Sequence, residues 1–255
     1  MSKITAVIIA CNEEHHIAKC VESVKDIVDE IVVVDSHSTD NTPQICRDLG
    51  ATVISYDWKG YSQNKNYGNQ EAKHDYILSL DADEYLSEEL KLSISEVKNS
   101  LYGVYSFNRL TNYCGKWIHH CGWYPDKKIR LFNKNDAYWQ GQFVHEVLRI
   151  KSGTPLTHLA GNLLHHSFQS LTDHIERVNR YSSLAAKEIY KGQSHFSAYL
   201  NLLFNPFFKF VKCYILQKGF LDGLSGFSIS IISAFDILLR YAKVLELKHT
   251  HGNLP

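Results

Sequence analysis

Asp81-Ala82-Asp83 follows the apolar run 76–80. Two carboxylates one residue apart at a strand end can supply oxygen ligands to a hard divalent cation, which in turn bridges the phosphates of a diphosphate. A solvated strand-to-helix turn is the ordinary alternative, because Asp is common in turns. Two more polar clusters end apolar runs, Cys11-Asn12-Glu13-Glu14 and Asp35-Ser36-His37-Ser38-Thr39-Asp40. In the second, short polar side chains also suit turns and helix caps, and for Asp40 both readings stand. Cys114 and Cys121 bracket His119 and His120, but their spacing fits no common structural zinc site, so thiols in a loop is the plainer reading.

Short β-branched runs at 4–10, 30–35, 52–56 and 76–80 alternate with helical patterns at 15–25, 43–49, 62–71 and 88–99. The helix at 43–49 has Thr42 at the cap position, Pro43 in the first turn and Gly50 past its end. The helix at 88–99 opens with Ser87 and two glutamates, favourable at a positive terminus. This alternation predicts an α/β fold with a doubly wound parallel sheet, in which ligands bind beyond the carboxyl ends of the strands. All three polar clusters fall on that edge. From 101 to about 150 the chain becomes aromatic and turn-rich, with strands expected at 103–110 and 128–132. Helices are expected at 171–191, 198–217 and 226–247.

The apolar content, 44% of 255 residues, suits a folded protein with a substantial core and excludes a disordered chain. Whole-chain charge is zero, but residues 1–150 hold 16 basic and 21 acidic side chains and the remainder 11 and 6, a balance of −5 and +5. The second half suits an anionic surface. Six scattered cysteines and the lack of a secretory signal before the first strand predict a reduced, cytoplasmic setting. No run of about 18 apolar residues is uninterrupted, since Asp222, Asp236 and Arg240 break the most apolar segment, and a transmembrane anchor is not expected. The aromatic and basic stretch 202–212 reads equally well as a membrane-interfacial segment or as a core helix with snorkelling Lys209 and Lys212.

Val7-Ile8-Ile9-Ala10-Cys11-Asn12-Glu13-Glu14, Val32-Val33-Val34-Asp35-Ser36-His37-Ser38-Thr39-Asp40-Asn41-Thr42 and Leu80-Asp81-Ala82-Asp83-Glu84 resemble, in order and spacing, the family 2 glycosyltransferases of the GT-A fold. Later segments, Arg130-Leu131-Phe132, Val144-His145-Glu146 and Leu164-His165-His166-Ser167-Phe168, look like the subgroup that adds glucose to the lipopolysaccharide inner core. The resemblance implies a GT-A catalytic domain over 1–170, with a nucleotide-sugar half (1–100) and an acceptor-side half (101–170), and a helical tail over 171–255.

It further implies that Ala10, Asn12, Glu14 and Asp35 surround the nucleoside, that Asp81 and Ala82 belong to the nucleotide-sugar site, and that Lys65, in Gly60-Tyr61-Ser62-Gln63-Asn64-Lys65-Asn66, lies near the phosphates. Asp83 and His165 are the implied metal ligands, with Mn2+ or Mg2+ as cofactor. His166 competes with His165, and His145 is the weaker candidate. Glu146 is the implied catalytic base, with pairing to Arg149 as its structural alternative. Arg130 would hold a phosphate or an acceptor anion, or else be a surface charge.

The implied activity is inverting, non-processive transfer of a hexose, with glucose favoured, from a UDP-sugar to an inner-core sugar, with heptose favoured. Its setting is the cytoplasm, with peripheral contact to the inner membrane left open. Transfer to another envelope glycan and a non-catalytic sugar-binding role are the alternatives. Processive synthesis is disfavoured by the lack of a Gln-x-x-Arg-Trp segment, and a nucleotidyltransferase by the lack of a glycine-rich phosphate loop.

Overall fold

The computed structural model describes residues 2–141, 146–192 and 194–250. Val144 and His145 lie outside the described residues, so the weaker ligand candidate has no placement, whereas Glu146 lies inside them. The chain forms two compact units, one from the residues up to Arg109 together with Asp126–His165, the other from Leu110–Pro125 and the residues from His166 onward.

In the first unit, β1 (Ile4–Ala10) is buried at all seven positions, as a continuous branched apolar run requires when helices cover both faces of a parallel sheet. It pairs in parallel with β2 (Glu30–Asp35) and β4 (Tyr76–Asp81), and β2 pairs in parallel with β3 (Thr52–Ser55). Helices α1 (Ile17–Val24), α2 (Thr42–Asp48) and α3 (Tyr61–Glu71) connect these strands in turn, and the short β5 (Glu84–Leu86) leads into α4 (Glu88–Val97). The sheet continues with β6 (Val104–Tyr113), β8 (Asp126–Asn133) and β11 (Leu156–Phe168) in the order β3-β2-β1-β4-β8-β6-β11-β5. The pairs β4 with β8, β8 with β6 and β11 with β5 are antiparallel, so a parallel nucleotide half sits inside a mixed sheet. A separate antiparallel hairpin joins β9 (Ala137–Gln140) to β10 (Val147–Ile150).

The start of α2 differs from expectation. Asn41 precedes the helix and Thr42 is its first residue; Asp40 Oδ1 accepts from Thr42 N at 3.0 Å, and the Thr42 hydroxyl accepts from Glu13 N at 2.8 Å. The threonine is spent on the neighbouring strand end, and the aspartate two residues earlier takes over the local turn.

Helix α3 is unusual in the side it buries. Ser62, Asn64, Lys65 and Asn69 are inside, together with Gly68. A Cβ at Gly68 would lie 2.4 Å from Val7 Cγ1 and 2.8 Å from Val34 Cγ2, so glycine is what lets α3 seat directly on β1 and β2. Its buried polar face must then find polar partners, and those partners define the site below.

The second unit is built from α5 (Leu171–Tyr190), α6 (His195–Val211) and α7 (Gly223–His249), with α7 packed against the other two. Ser170 and Ser194 cap α5 and α6, accepting from Asp173 N and Ser197 N. One small core gathers Ala186, Ala198, Val244, Leu245 and Leu247. Another gathers Tyr113, Ile118, Cys121 and Ile229 with Trp123 and Phe168. In the same unit β7 (Lys116–Ile118) pairs with the end of β6, and His120 is held by Asp222 through Nδ1 at 3.0 Å.

Candidate active site

The carboxyl ends of β1 and β2 meet in register at Ala10 and Asp35. Asp35 is buried, and its carboxylate accepts from the Ser38 amide at 3.1 Å and from the Ser38 hydroxyl. Asn12, at φ 55°, accepts from Thr39 N through Oδ1 at 2.8 Å, a backbone region that Asn tolerates better than most residues. Glu14 accepts from Asn41 N at 3.1 Å and from Asn41 Nδ2 at 2.9 Å, while Asp40 accepts from Glu14 N. Asn12, Glu14 and Asp40 therefore stitch loop 11–14 to loop 36–42, Asp35 braces the second loop through Ser38, and Ala10 is buried.

At the end of β4 the structure brings together charges that are far apart in sequence. Lys65 is 0% exposed, with Nζ 2.8 Å from Glu146 Oε1 and 2.9 Å from Asp81 Oδ1. The contact to Glu146 is a hydrogen bond, and that to Asp81 is an ion pair. The Trp139 ring lies beneath the same ammonium, 4.7 Å from its centroid. Trp139 is fixed in turn by Asn66, one residue along α3, whose side chain exchanges hydrogen bonds with the Trp139 backbone.

On the other side of Asp81, Arg130 Nη2 lies 2.9 Å from Asp81 Oδ2 and 2.7 Å from Glu84 Oε1. Glu84 is fully buried; its second oxygen accepts from Asp81 N at 3.1 Å, and Arg109 approaches it to 3.5 Å. Burial alone pushes the Asp81 carboxyl up, but Lys65 and then Arg130 outweigh it and hold the group well below the usual carboxylate range. Burial likewise disfavours the Arg130 cation, and Glu84 and Asp81 outweigh it, so Arg130 stays charged.

Three alternatives raised by the sequence give way here. Lys65 is interior rather than an exposed helix lysine, Arg130 is buried rather than a surface charge, and Glu146 pairs with Lys65 while Arg149 donates to Gln140 at 2.8 Å. The physical reason is common to all three: each charge is enclosed by an element from a different part of the chain, which lowers the local dielectric and demands an opposite charge nearby.

Asp83 stands outside this network. It lies in the turn between β4 and β5 with Oδ2 3.3 Å from His165 Nε2, both side chains partly exposed. The contact follows from the sheet: β11 pairs antiparallel with β5, and the register sets His165 opposite Glu84, one residue from Asp83. Successive side chains on a strand point to opposite faces, and His166 accordingly stacks edge-on against Trp117. Ala82, between the aspartates, is buried.

Sequence reasoning missed Glu84 and Arg109. Glu84 was visible as the fourth residue of Asp-Ala-Asp-Glu, but a carboxylate beginning an apolar strand Glu-Tyr-Leu is itself the signal that a buried cation must answer it.

The profile of the family described as Glycosyl transferase family 2 matches residues 5–150, more than half of the chain. A glycosyltransferase of Rickettsia typhi is 34% identical over the whole of this chain and 90% of its own length. The lipopolysaccharide core biosynthesis glycosyltransferase LpsC of Rhizobium meliloti is 27% identical, over 95% of this chain and 92% of its own. Among solved structures, TarS of S. aureus is 16% identical at a TM-score of 0.46, covering 87% of this chain and 46% of its own. Glucosyl-3-phosphoglycerate synthase of Mycobacterium tuberculosis, solved with Mn2+, UDP and glucosyl-3-phosphoglycerate, is 23% identical at a TM-score of 0.36, covering 44% of each chain. With an α/β sheet whose strand ends carry the acidic cluster, a family profile matched over residues 5–150 and a relative 34% identical over the whole of this chain, the chain belongs to glycosyl transferase family 2.

Proposed function

We propose that this protein is an inverting, non-processive transferase that moves a hexose, glucose as the favoured sugar, from UDP to a heptose of the lipopolysaccharide inner core. The observation that carries the reading is the bridge through Lys65, which links Asp81 on the donor side to Glu146 on the acceptor side in one buried network. The lipopolysaccharide core role named for the relative LpsC, similar over 95% of this chain, supports the acceptor class.

In this reading Ala10, Asn12, Glu14 and Asp35 receive the nucleoside on the stitched rim of β1 and β2, and Asp81, held anionic, faces the sugar nucleotide beside Ala82. Glu146 Oε1 is occupied by Lys65, whereas Oε2 is buried with no hydrogen-bond partner among the described residues. A buried acceptor atom of this kind suits an incoming hydroxyl, which would donate to it on arrival. As the hydroxyl oxygen attacks the anomeric carbon, its proton passes to Glu146 Oε2, the bond from that carbon to the diphosphate oxygen breaks, and configuration inverts. Lys65 and Arg130, which the resemblance sets beside the nucleotide sugar, also orient these carboxylates through their ion pairs.

For the metal, the pair Asp83 and His165 offers one hard oxygen and one imidazole nitrogen, a set that suits Mn2+ better than Mg2+, and both side chains are partly exposed. Among the described residues no group of three or more His, Cys, Asp or Glu converges, so these two would hold the ion together with diphosphate oxygens and water. When bound, it would neutralise charge on the leaving diphosphate.

The test is to incubate the protein with Mn2+, a panel of labelled nucleotide sugars and a heptose-terminated lipopolysaccharide. Transfer of hexose from a UDP-sugar is expected. Absence of turnover with every donor and acceptor would sink the enzymatic reading, and transfer only to another envelope glycan would replace the acceptor.

A further inference from the structure

The helices α6 and α7 turn their apolar residues outward. On α6, Phe196, Tyr199, Leu203, Phe204, Phe207 and Phe208 recur at the three- and four-residue steps of one helical face, and all are exposed, Leu203 by 70%. On α7 the same spacing links Leu224, Phe227, Ile231, Phe235 and Leu238, with Leu224 81% exposed. What α6 buries is the small Ala198. An amphipathic helix of a soluble protein presents its large apolar stripe to the core; here two neighbouring helices present theirs to the outside.

Charge says what covers this face. Residues 195–218 contain Lys209, Lys212 and Lys218 and no Asp or Glu, so the aromatic stripe is accompanied by cations alone. A second copy would bring like charges together, whereas anionic headgroups beside acyl chains match both the cations and the aromatic rings. The stretch Gly219–His249 is long and apolar enough to span a bilayer, with a mean hydropathy of 1.4 over its best window. It nevertheless carries the Asp236–Arg240 ion pair, and Lys243, bonded to Asn179 and Ser182 of α5, ties it to a neighbour. Crossing the membrane would strip those polar contacts of their setting; lying along its surface keeps them.

We propose that the outward face of α6 and α7 docks in the plane of an anionic phospholipid bilayer, with Phe204, Phe207 and Phe208 inserted at the level of the acyl-chain boundary and Lys209, Lys212 and Lys218 on the headgroups. The inference stands whatever sugar the enzyme transfers, because it uses no residue of the first unit.

Flotation of the full-length protein with phosphatidylcholine vesicles and with mixed phosphatidylcholine–phosphatidylglycerol vesicles tests it. Binding is expected to be stronger with phosphatidylglycerol and to fall with salt. Phe207→Ser combined with Phe208→Ser should weaken binding about a hundredfold, and Lys209, Lys212 and Lys218 each changed to Gln should cost about fivefold apiece on the anionic vesicles only. Thermal melts of the same proteins should match the wild type, since Phe207, Phe208, Lys212 and Lys218 are exposed and Lys209 is only half-buried. Wild-type binding by both variants would overturn the proposal. So would retention in the membrane after alkaline carbonate, which marks a spanning helix, or a lipid-free dimer that the phenylalanine changes dissociate while vesicles bind nothing.

Discussion

The first unit encloses Lys65 and Glu84 completely, each against opposite charges, while the helical unit leaves Leu203 and Leu224 at 70% and 81% exposure. Charge inside and hydrocarbon outside are both costly in water, and each is retained where a particular partner repays the cost. In the sheet unit the partners are already present: Lys65 and Arg130 answer Asp81, Glu84 and Glu146 within the fold. In the helical unit the partner we propose is external. The contrast separates a preorganised interior, where chemistry depends on exact placement, from a surface whose composition matters more than its geometry.

The largest effect should come from breaking the interior at its reactive end. Glu146→Gln keeps an oxygen for Lys65 but cannot take a proton, so kcat should fall by about 10²- to 10⁴-fold. UDP affinity, measured by calorimetry, should stay nearly unchanged, and retained transfer would reject the base assignment.

Next, Lys65→Met should strand Asp81 and Glu146 without their shared cation and lower unfolding stability by about 3–5 kcal/mol in urea titrations. Loss of activity at full stability would instead point to a direct role in binding.

A smaller and pH-dependent effect is expected inside the helical unit. His174 is buried on α5 with Nδ1 2.9 Å from the Tyr113 hydroxyl, and burial lowers its pKa to about 4. Asp173 and Asp236 oppose that shift and Arg177 adds to it. The unfolded chain takes up the proton near pH 6.5, so the stabilisation from neutral His174 is complete above that pH and is lost as pH falls toward 4, by up to about 3 kcal/mol. His174→Phe should flatten this part of the stability profile measured by chemical denaturation, and an unchanged slope would count against it.

The smallest change should follow Leu203→Ser, an exposed position where stability should move by no more than about 0.5 kcal/mol. A loss of several kcal/mol would show that the outward stripe is core after all.

The nucleotide half was legible from residue types because β1, β2 and β4 are short, continuous branched runs whose burial on both faces is written in the sequence. The helices after residue 171 were legible in the same way. β11, at thirteen residues the longest strand described, was not, since Leu156–Phe168 mixes Thr, His and Asn among its leucines and buries few positions, leaving no clear period of two. The motif resemblance named Lys65, Asp81, Arg130 and Glu146 one by one. It did not reveal that they touch, because Lys65 and Glu146 are 81 positions apart and their pairing is made by α3 seating on the sheet at Gly68. Glu84 was passed over for a related reason: its cations, Arg109 and Arg130, arrive on β6 and β8, whose neighbours in the sheet no local pattern specifies.

The most direct measurement is a proton NMR time course of UDP-glucose with the protein, Mg2+ as a diamagnetic metal, and heptose-terminated lipopolysaccharide. The α-anomeric signal of the donor should decay as UDP is released and a β-linked glucose signal appears on the acceptor. A product that keeps the α configuration, or a donor that stays intact with every hexose and acceptor tried, would contradict direct displacement assisted by Glu146.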